Sequence, residues 1–217
     1  MSRNACPTRR RRLVIMVKEP RPGRVKTRLG AGIGMVAAAW WFRRQSGALI
    51  RRLSRDRRWE TWIAVAPDRE GAMSRVWPPG LRRWPQGRGD LGDRMGRIFN
   101  RFPPGPVVVI GADIPGVSNA DIAAAFDALG RRDAVIGPAD DGGYWLIGLA
   151  RGRSRPAEKI FAKVRWSTSA AMEDTERALG GNRIGYLRTL RDVDDVDDLM
   201  AVETVRPCAV RKRASPS

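Results

Sequence analysis

The chain has 217 residues, of which 42% are hydrophobic, a size that suits one sizeable α/β domain better than two. Its formal net charge is +18, and it contains no histidine, which excludes Ser-His and Cys-His catalysis and histidine zinc sites. Nine of the positive charges lie in residues 1–12 and 206–217, which contain no acid. We therefore predict a single domain over residues 13–205 between two flexible basic tails, and we expect nucleic acid not to be the partner.

The two cysteines, Cys6 and Cys208, lie in those tails and form no CxxC pair, so neither is placed as a nucleophile or a metal ligand. The apolar run at residues 13–17 follows several arginines but is too short for a signal peptide. No run approaches the roughly 20 apolar residues that cross a bilayer. We expect a cytoplasmic protein without a membrane partner.

Short β-branched runs alternate with longer amphipathic stretches along the chain. Strands are predicted at residues 13–17, 61–66, 107–110, 134–136, 144–149 and 184–190. Helices are predicted at residues 35–55, 93–102 and 119–129, from an N-cap at Thr168 to residue 179, and from near Asp195 onward, with a loop at residues 151–156. This alternation predicts an α/β fold with a mostly parallel sheet covered by helices on both faces.

The connection after the first strand is basic and contains a glycine. It reads KEPRPGRVKTRLG, and Val25 stands where a Walker motif requires the glycine before its lysine. A phosphate site remains open, because cationic side chains and backbone N–H groups at a helix N-terminus bind phosphates. A basic surface turn explains the stretch equally well. The candidate phosphate-binding residues are Gly23, Arg24, Lys26, Thr27 and Arg28.

Carboxylates follow or precede several predicted strands. VVVIGADIPG places Asp113 at the carboxyl end of a buried strand, where open α/β sheets bind ligands. GPADDGGYWLIGL sets Asp141 directly before another strand, and Asp192 and Asp194 follow a third. Taken alone, each of these aspartates is explained as a turn residue or a helix cap. Together they could meet at one end of the sheet, opposite the basic connection, an arrangement that suits a divalent cation and a nucleotide diphosphate.

Two glycines, Gly142 and Gly143, follow Asp141 in the same stretch. Aspartate and glycine are common turn formers, so a plain turn between strands accounts for them. Glycines also let the backbone pass close to a ligand, which is the functional alternative.

Six motifs occur in the same order as in the bacterial DUF2064 family, which the chain resembles from residue 13 to about residue 200. They are VKEPRPGRVKTRL, GDLGDRM, GADIPG, GPADDGGYWLIGL, FAKVRWST and DVDDVDDL. That family is glycosyltransferase-like and resembles the GT-A nucleotide-diphospho-sugar transferases, alongside molybdenum-cofactor guanylyltransferase and 2-phospho-lactate guanylyltransferase. The resemblance implies a Rossmann-like GT-A three-layer sandwich. Asp195 and Val196 replace the usual threonine and proline of the last motif, which preserves an N-cap.

The resemblance also implies roles for individual residues. It assigns Asp113, Asp192 and Asp194 to a site for Mg²⁺ or Mn²⁺, and Asp113 and Asp141 to catalysis. It places the basic connection at the nucleotide phosphates. The residues implied for an acceptor or substrate loop are Asp90, Arg94, Gly142, Gly143, Tyr144 and Trp166.

We therefore expect a metal-dependent transferase that uses a nucleotide or nucleotide-sugar donor and an unidentified small-molecule acceptor. Glycosyl transfer from a nucleotide sugar and nucleotidyl transfer from an NTP both remain open. Either reaction can proceed by positioning and electrostatics, which suits a chain without histidine or a well-placed cysteine. The alternative is a non-catalytic nucleotide-binding or partner-binding module on the same fold.

Overall fold

The computed structural model describes residues 10–150, 157–181 and 183–204. The strands in these residues are β1 (Arg12–Lys18), β2 (Glu60–Ala66), β3 (Arg82–Pro85), β4 (Val107–Gly111), β5 (Ala134–Pro138), β6 (Tyr144–Leu149) and β7 (Ile184–Tyr186). The helices are α1 (Thr27–Ile33), α2 (Met35–Ser54), α3 (Asp68–Met73), α4 (Leu91–Arg101), α5 (Asn119–Ala128), α6 (Ala157–Phe161), α7 (Ala171–Leu179) and α8 (Val196–Thr204). None of the described helices combines the length and the apolar character that crossing a bilayer requires.

The strands form one sheet in the order β3-β2-β1-β4-β6-β5-β7. All neighbours are parallel except those of β6, which runs antiparallel to both β4 and β5. The connection from β5 to β6 is too short for a crossover, so these two strands form a hairpin. The hairpin tip at residues 139–143 therefore lies at the same sheet edge as the carboxyl ends of the parallel strands.

The core lies on both faces of the sheet, because successive side chains of a buried strand point to opposite sides. On β1, Leu13 and Ile15 pack with the apolar residues of α2 and α5. Val14 packs on the other face with those of α4, α6 and α7. The predicted mostly parallel sheet covered on both faces is confirmed, and it gives three layers.

Several short elements are not visible in the sequence pattern. Strand β3, with the sequence RRWP, lacks an apolar run because it is an edge strand that pairs with β2 alone. Helix α1 begins within the stretch interpreted as a basic connection, and α3 and α6 have only six and five residues. Such short helices carry too little periodicity to be predicted.

Element boundaries also differ from the predictions. Helix α4 begins before residue 93, because Asp90 caps it by accepting a hydrogen bond from the Asp93 amide at 2.8 Å. Helix α7 begins at Ala171, while the Thr168 hydroxyl donates to the carbonyl of Arg165 at 2.7 Å. Strand β7 ends at residue 186, four residues early. The loop predicted at residues 151–156 lies outside the described residues.

Arg12, expected in the N-terminal tail, is the first residue of β1 and is buried. Its guanidinium donates to the carbonyl of Pro103 at 3.3 Å and stacks over the Phe102 ring at 5.4 Å. The long hydrocarbon part of an arginine packs on apolar surface in this way, so a run of arginines can enter a strand.

Candidate functional site

A cleft of about 740 Å³ opens at the sheet edge where β1 and β4 end. Its volume is in the range of small-molecule sites. Nine predicted site residues line it: Arg24, Lys26, Thr27, Arg28, Asp90, Arg94, Asp113, Tyr144 and Asp194. Six others do not: Gly23, Asp141, Gly142, Gly143, Trp166 and Asp192.

Lys26 forms the central ion pairs of the cleft. Its ammonium nitrogen lies 2.7 Å from Asp113 Oδ2 and 2.7 Å from Asp194 Oδ1, and its side chain is only 6% exposed. Burial alone would lower the pKa of Lys26, but the two carboxylates outweigh it and raise the pKa above its usual value. Arg28 approaches Asp194 more loosely, at 3.6 Å, with a side chain that is 80% exposed.

The backbone before α1 holds Lys26 in this position. Val25 is buried in the core, which anchors the connection against the sheet. Lys26 has a left-handed backbone, with φ 46° and ψ 50°, and its carbonyl accepts from the Gly30 amide at 2.8 Å as α1 begins. This conformation costs a non-glycine residue roughly 1 kcal/mol, and such strain is concentrated at functional sites.

Asp113 follows β4 between two buried residues, Ala112 and Ile114, which hold the segment against the core. Gly111 leaves room for its carboxylate, because a β-carbon there would lie 2.9 Å from Asp113 Oδ1. The glycine of GADIPG therefore allows the aspartate to turn back over the strand end.

The last carboxylates are placed by Val193, which is fully buried with Leu29 and Ala38. The side chain between Asp192 and Asp194 is turned into the core, so both aspartates remain partly exposed, and Asp194 lines the cleft. The Asp194 amide donates to Asp198 Oδ2 at 3.0 Å. The N-cap predicted near Asp195 is confirmed, because Asp195 Oδ1 accepts from the Asp198 amide at 3.0 Å at the start of α8.

Carboxylate oxygens of Asp113, Asp192 and Asp194 lie within 4.8 Å of one another. Oxygen ligands are those that Mg²⁺ and Mn²⁺ prefer, so the donor set fits either ion. Burial, together with repulsion from Asp194, Asp113 and Asp141, raises the pKa of Asp192 to about 6, and Lys26 partly opposes this rise. The cluster thus carries excess negative charge that a cation would relieve.

The DDGG stretch forms the tip of the β5–β6 hairpin, so its interpretation as a turn is confirmed. Asp141 Oδ1 accepts from the Gly143 amide at 2.9 Å, and the Asp141 side chain is exposed. Gly142 has φ 83°, and a β-carbon there would lie 2.4 Å from the Ser169 carbonyl oxygen. The close approach at Gly142 is therefore to the protein's own backbone, and a ligand is not needed to explain this glycine.

The side of the cleft near α4 contains the residues expected at an acceptor. Arg94 donates to the Gly89 carbonyl at 3.1 Å, and Asp90 serves as the α4 cap. Burial raises the pKa of Tyr144, whose hydroxyl lies 3.3 Å from the Thr175 hydroxyl. Trp166 packs edge-on against the Tyr144 ring at 6.3 Å and so supports this wall from behind.

Ser167 and Gln86 are among the cleft residues that sequence reasoning missed. Ser167 lines the cleft with φ 61°, so both non-glycine residues with positive φ in the described part of the chain, Lys26 and Ser167, border it. Gln86 is buried and donates to the carbonyls of Val17 and Ala64 at 3.1 and 2.8 Å, joining β1 to β2. Ser167 lies within the FAKVRWST motif and Gln86 lies just before the GDLGDRM motif, so position in or beside a motif was the available signal.

A family model described as "Uncharacterized protein conserved in bacteria (DUF2064)" matches residues 49–168. No curated protein sequence matches the chain. A crystal structure from Desulfovibrio desulfuricans G20, provisionally assigned as a nucleotide-diphospho-sugar transferase, has a TM-score of 0.81 and 30% sequence identity, over 93% of this chain and 90% of that chain.

Two more distant structures share the fold. CMP:2-keto-3-deoxy-manno-octonic acid synthetase, solved with CTP, has a TM-score of 0.55 and 13% identity, over 90% of this chain and 98% of that chain. Rv0371c from Mycobacterium tuberculosis H37Rv, solved with manganese, has a TM-score of 0.53 and 15% identity, over 89% of this chain and 97% of that chain. The expected nucleotide-diphospho-sugar transferase fold is confirmed.

Proposed function

Because this chain belongs to the DUF2064 family, we propose that it is a metal-dependent transferase with a nucleotide or nucleotide-sugar donor. The observation that carries the proposal is the cluster of Asp113, Asp192 and Asp194 at a cleft that also presents cationic side chains. Oxygen ligands beside cations suit a divalent ion together with a diphosphate. The neighbours solved with CTP and with manganese support this chemistry.

Two transfer reactions fit the cleft, and both release a phosphate group that gains negative charge. In glycosyl transfer, an acceptor oxygen bonds to the anomeric carbon and the nucleoside diphosphate leaves. In nucleotidyl transfer, an acceptor oxygen bonds to the α-phosphorus and pyrophosphate leaves. Asp113, Asp192 and Asp194 would hold a divalent cation, which would neutralise charge on the leaving group. Arg24, Lys26 and Arg28 would hold the phosphates from the α1 side.

The acceptor is assigned to the opposite side of the cleft, between α4 and the start of β6. Asp90, Arg94 and Tyr144 line this part, and Ser167 adds a hydroxyl. These groups can hydrogen-bond a small polar molecule and orient its nucleophilic oxygen toward the donor. Asp141 lies at the adjacent hairpin tip, where a carboxylate could accept the acceptor's proton.

A thermal-shift screen of NTPs and nucleotide sugars, each with and without Mn²⁺, tests the proposal. A donor at 100 times its dissociation constant should stabilise the fold by about 2.7 kcal/mol. Asp113→Asn should lose the Mn²⁺-dependent part of this stabilisation, whereas Asp197→Asn, an exposed acid on α8, should keep it. If no compound raises the melting temperature in Mn²⁺, or if Asp113→Asn behaves as wild type, the site assignment is wrong.

The same screen separates the two donor classes and the non-catalytic alternative. Stabilisation by an NTP and not by nucleotide sugars supports nucleotidyl transfer, and the reverse supports glycosyl transfer. Incubating the stabilising donor with a pool of small polar acceptors, followed by chromatography, then detects consumption of the donor. Binding without any consumption would favour the non-catalytic module.

A further inference from the structure

The carboxylate cluster already holds a cation, the ammonium of Lys26. This nitrogen lies at hydrogen-bond distance, 2.7 Å, from one oxygen of Asp113 and one of Asp194. A single atom can make both contacts only by standing between the two carboxylates. Its side chain is 6% exposed, so little water competes for these ion pairs. Asp113 and Asp194, two of the three carboxylates at the proposed metal site, are therefore already ion-paired with Lys26.

A divalent ion and the ammonium compete for the same two carboxylates, Asp113 and Asp194. Mg²⁺ requires oxygen ligands at about 2.0–2.1 Å and tolerates little distortion. Coordination by Asp113 or Asp194 would put the ion within a few ångströms of the Lys26 nitrogen, where two positive charges repel by several kcal/mol at an effective dielectric of about 20. This repulsion favours the opening of at least one of the two ion pairs when the carboxylates coordinate a divalent ion.

In the proposed reaction, the donor phosphates offer the Lys26 ammonium a second anionic partner. It lies on the cleft wall immediately before α1, beside the exposed side chains of Thr27 and Arg28. Its flexible four-carbon stem lets the ammonium turn from the carboxylates toward the cleft while its backbone stays in place. Donor phosphates are anionic and would replace the carboxylates as the partner of the ammonium.

We propose that Lys26 is the resident counterion of the carboxylate cluster and is transferred from the carboxylates to the donor phosphates when the metal binds. This inference rests on the proposed function. It predicts weak metal binding in the absence of donor, because Lys26 must be displaced without gaining a new partner. It also predicts that metal and donor each strengthen the binding of the other, since such coupling is reciprocal.

The first test measures binding of Mn²⁺ alone, from the electron paramagnetic resonance signal of the free ion. Lys26→Met keeps most of the length of the side chain and removes the charge. We expect Lys26→Met to bind Mn²⁺ about 10-fold or more tightly than wild type, which corresponds to about 1.4 kcal/mol. The matched control is Arg28→Met, which removes the same charge near the same Asp194 from an exposed side chain 3.6 Å away. Its effect should stay below about threefold.

The second test uses the wild-type protein and does not depend on a variant that folds. Acetylation of each lysine by an activated ester is followed by mass spectrometry, with and without saturating Mn²⁺. Lys26 should be slow to react without Mn²⁺ and should react several-fold faster with it, because the ammonium has left its ion pairs. Lys18, exposed on the same cleft wall, should not change.

The outcomes separate this inference from the proposed function. Equal Mn²⁺ affinity in wild type and Lys26→Met, together with unchanged acetylation of Lys26, would overturn the counterion role and leave the metal-dependent transferase intact. Failure of both proteins to bind Mn²⁺ at millimolar concentration would overturn both. Tighter binding by Lys26→Met than by Arg28→Met, with faster acetylation of wild-type Lys26, supports the inference.

Discussion

Replacing Asp192 with asparagine should stabilise the metal-free protein above about pH 6 and leave its stability unchanged below pH 4. Burial and neighbouring carboxylates raise the pKa of Asp192 in the folded state to about 6, from 3.8. The folded state therefore binds the proton more tightly than the unfolded chain, so the free energy of unfolding falls as the pH rises through this window. The full shift corresponds to about 3 kcal/mol, which partial exposure and solvent screening reduce to roughly 1–2 kcal/mol.

Urea unfolding at several pH values between 4 and 8 measures this effect. The stability advantage of Asp192→Asn over wild type should grow through the window and then level off. Asp140→Asn, at an exposed position in the hairpin turn, is the matched control and should run parallel to wild type. Saturating Mn²⁺ should reverse the advantage, because the ion stabilises the ionised carboxylate. An Asp192→Asn profile parallel to wild type at every pH would refute the account of the cluster.

Two further substitutions test the hairpin tip. Gly142→Ala should lower the free energy of unfolding by about 3 kcal/mol, because its φ is positive and its β-carbon would lie 2.4 Å from the Ser169 carbonyl oxygen. Gly80→Ala, also at a positive φ but in open space, should lower it by only about 1 kcal/mol. Equal losses in urea unfolding would contradict the close contact. Asp141→Asn keeps the oxygen that accepts from Gly143, so stability and Mn²⁺-dependent nucleotide affinity should both stay close to wild type. A loss of affinity as large as that of Asp113→Asn, measured by calorimetric titration, would instead place Asp141 among the metal ligands.

The fold could be predicted because its strands are buried on both faces and therefore read as apolar runs. Asp113 was found for the same reason, since it follows such a run at the strand end. The partnership of Lys26 with Asp194 could not be predicted, because it joins residues 168 positions apart and depends on the whole chain path. The sequence also left β3 unseen, because an edge strand needs no continuous apolar face. The need for glycine at position 142 became clear only from the structure, where the Ser169 backbone leaves no room for a β-carbon.

The buried Val193 links the order of synthesis to the assembly of the carboxylate cluster. Lys26 and Asp113 leave the ribosome well before Asp192 and Asp194, and a growing chain folds from its N-terminal part first. A nascent chain that ends before Asp192 has only one of the three carboxylates, Asp113, and this carboxylate pairs with Lys26. The complete set forms only when Val193 packs with Leu29 and Ala38. An unfinished polypeptide therefore lacks the cluster, and the proposed metal site is complete only after residue 194 has been synthesised.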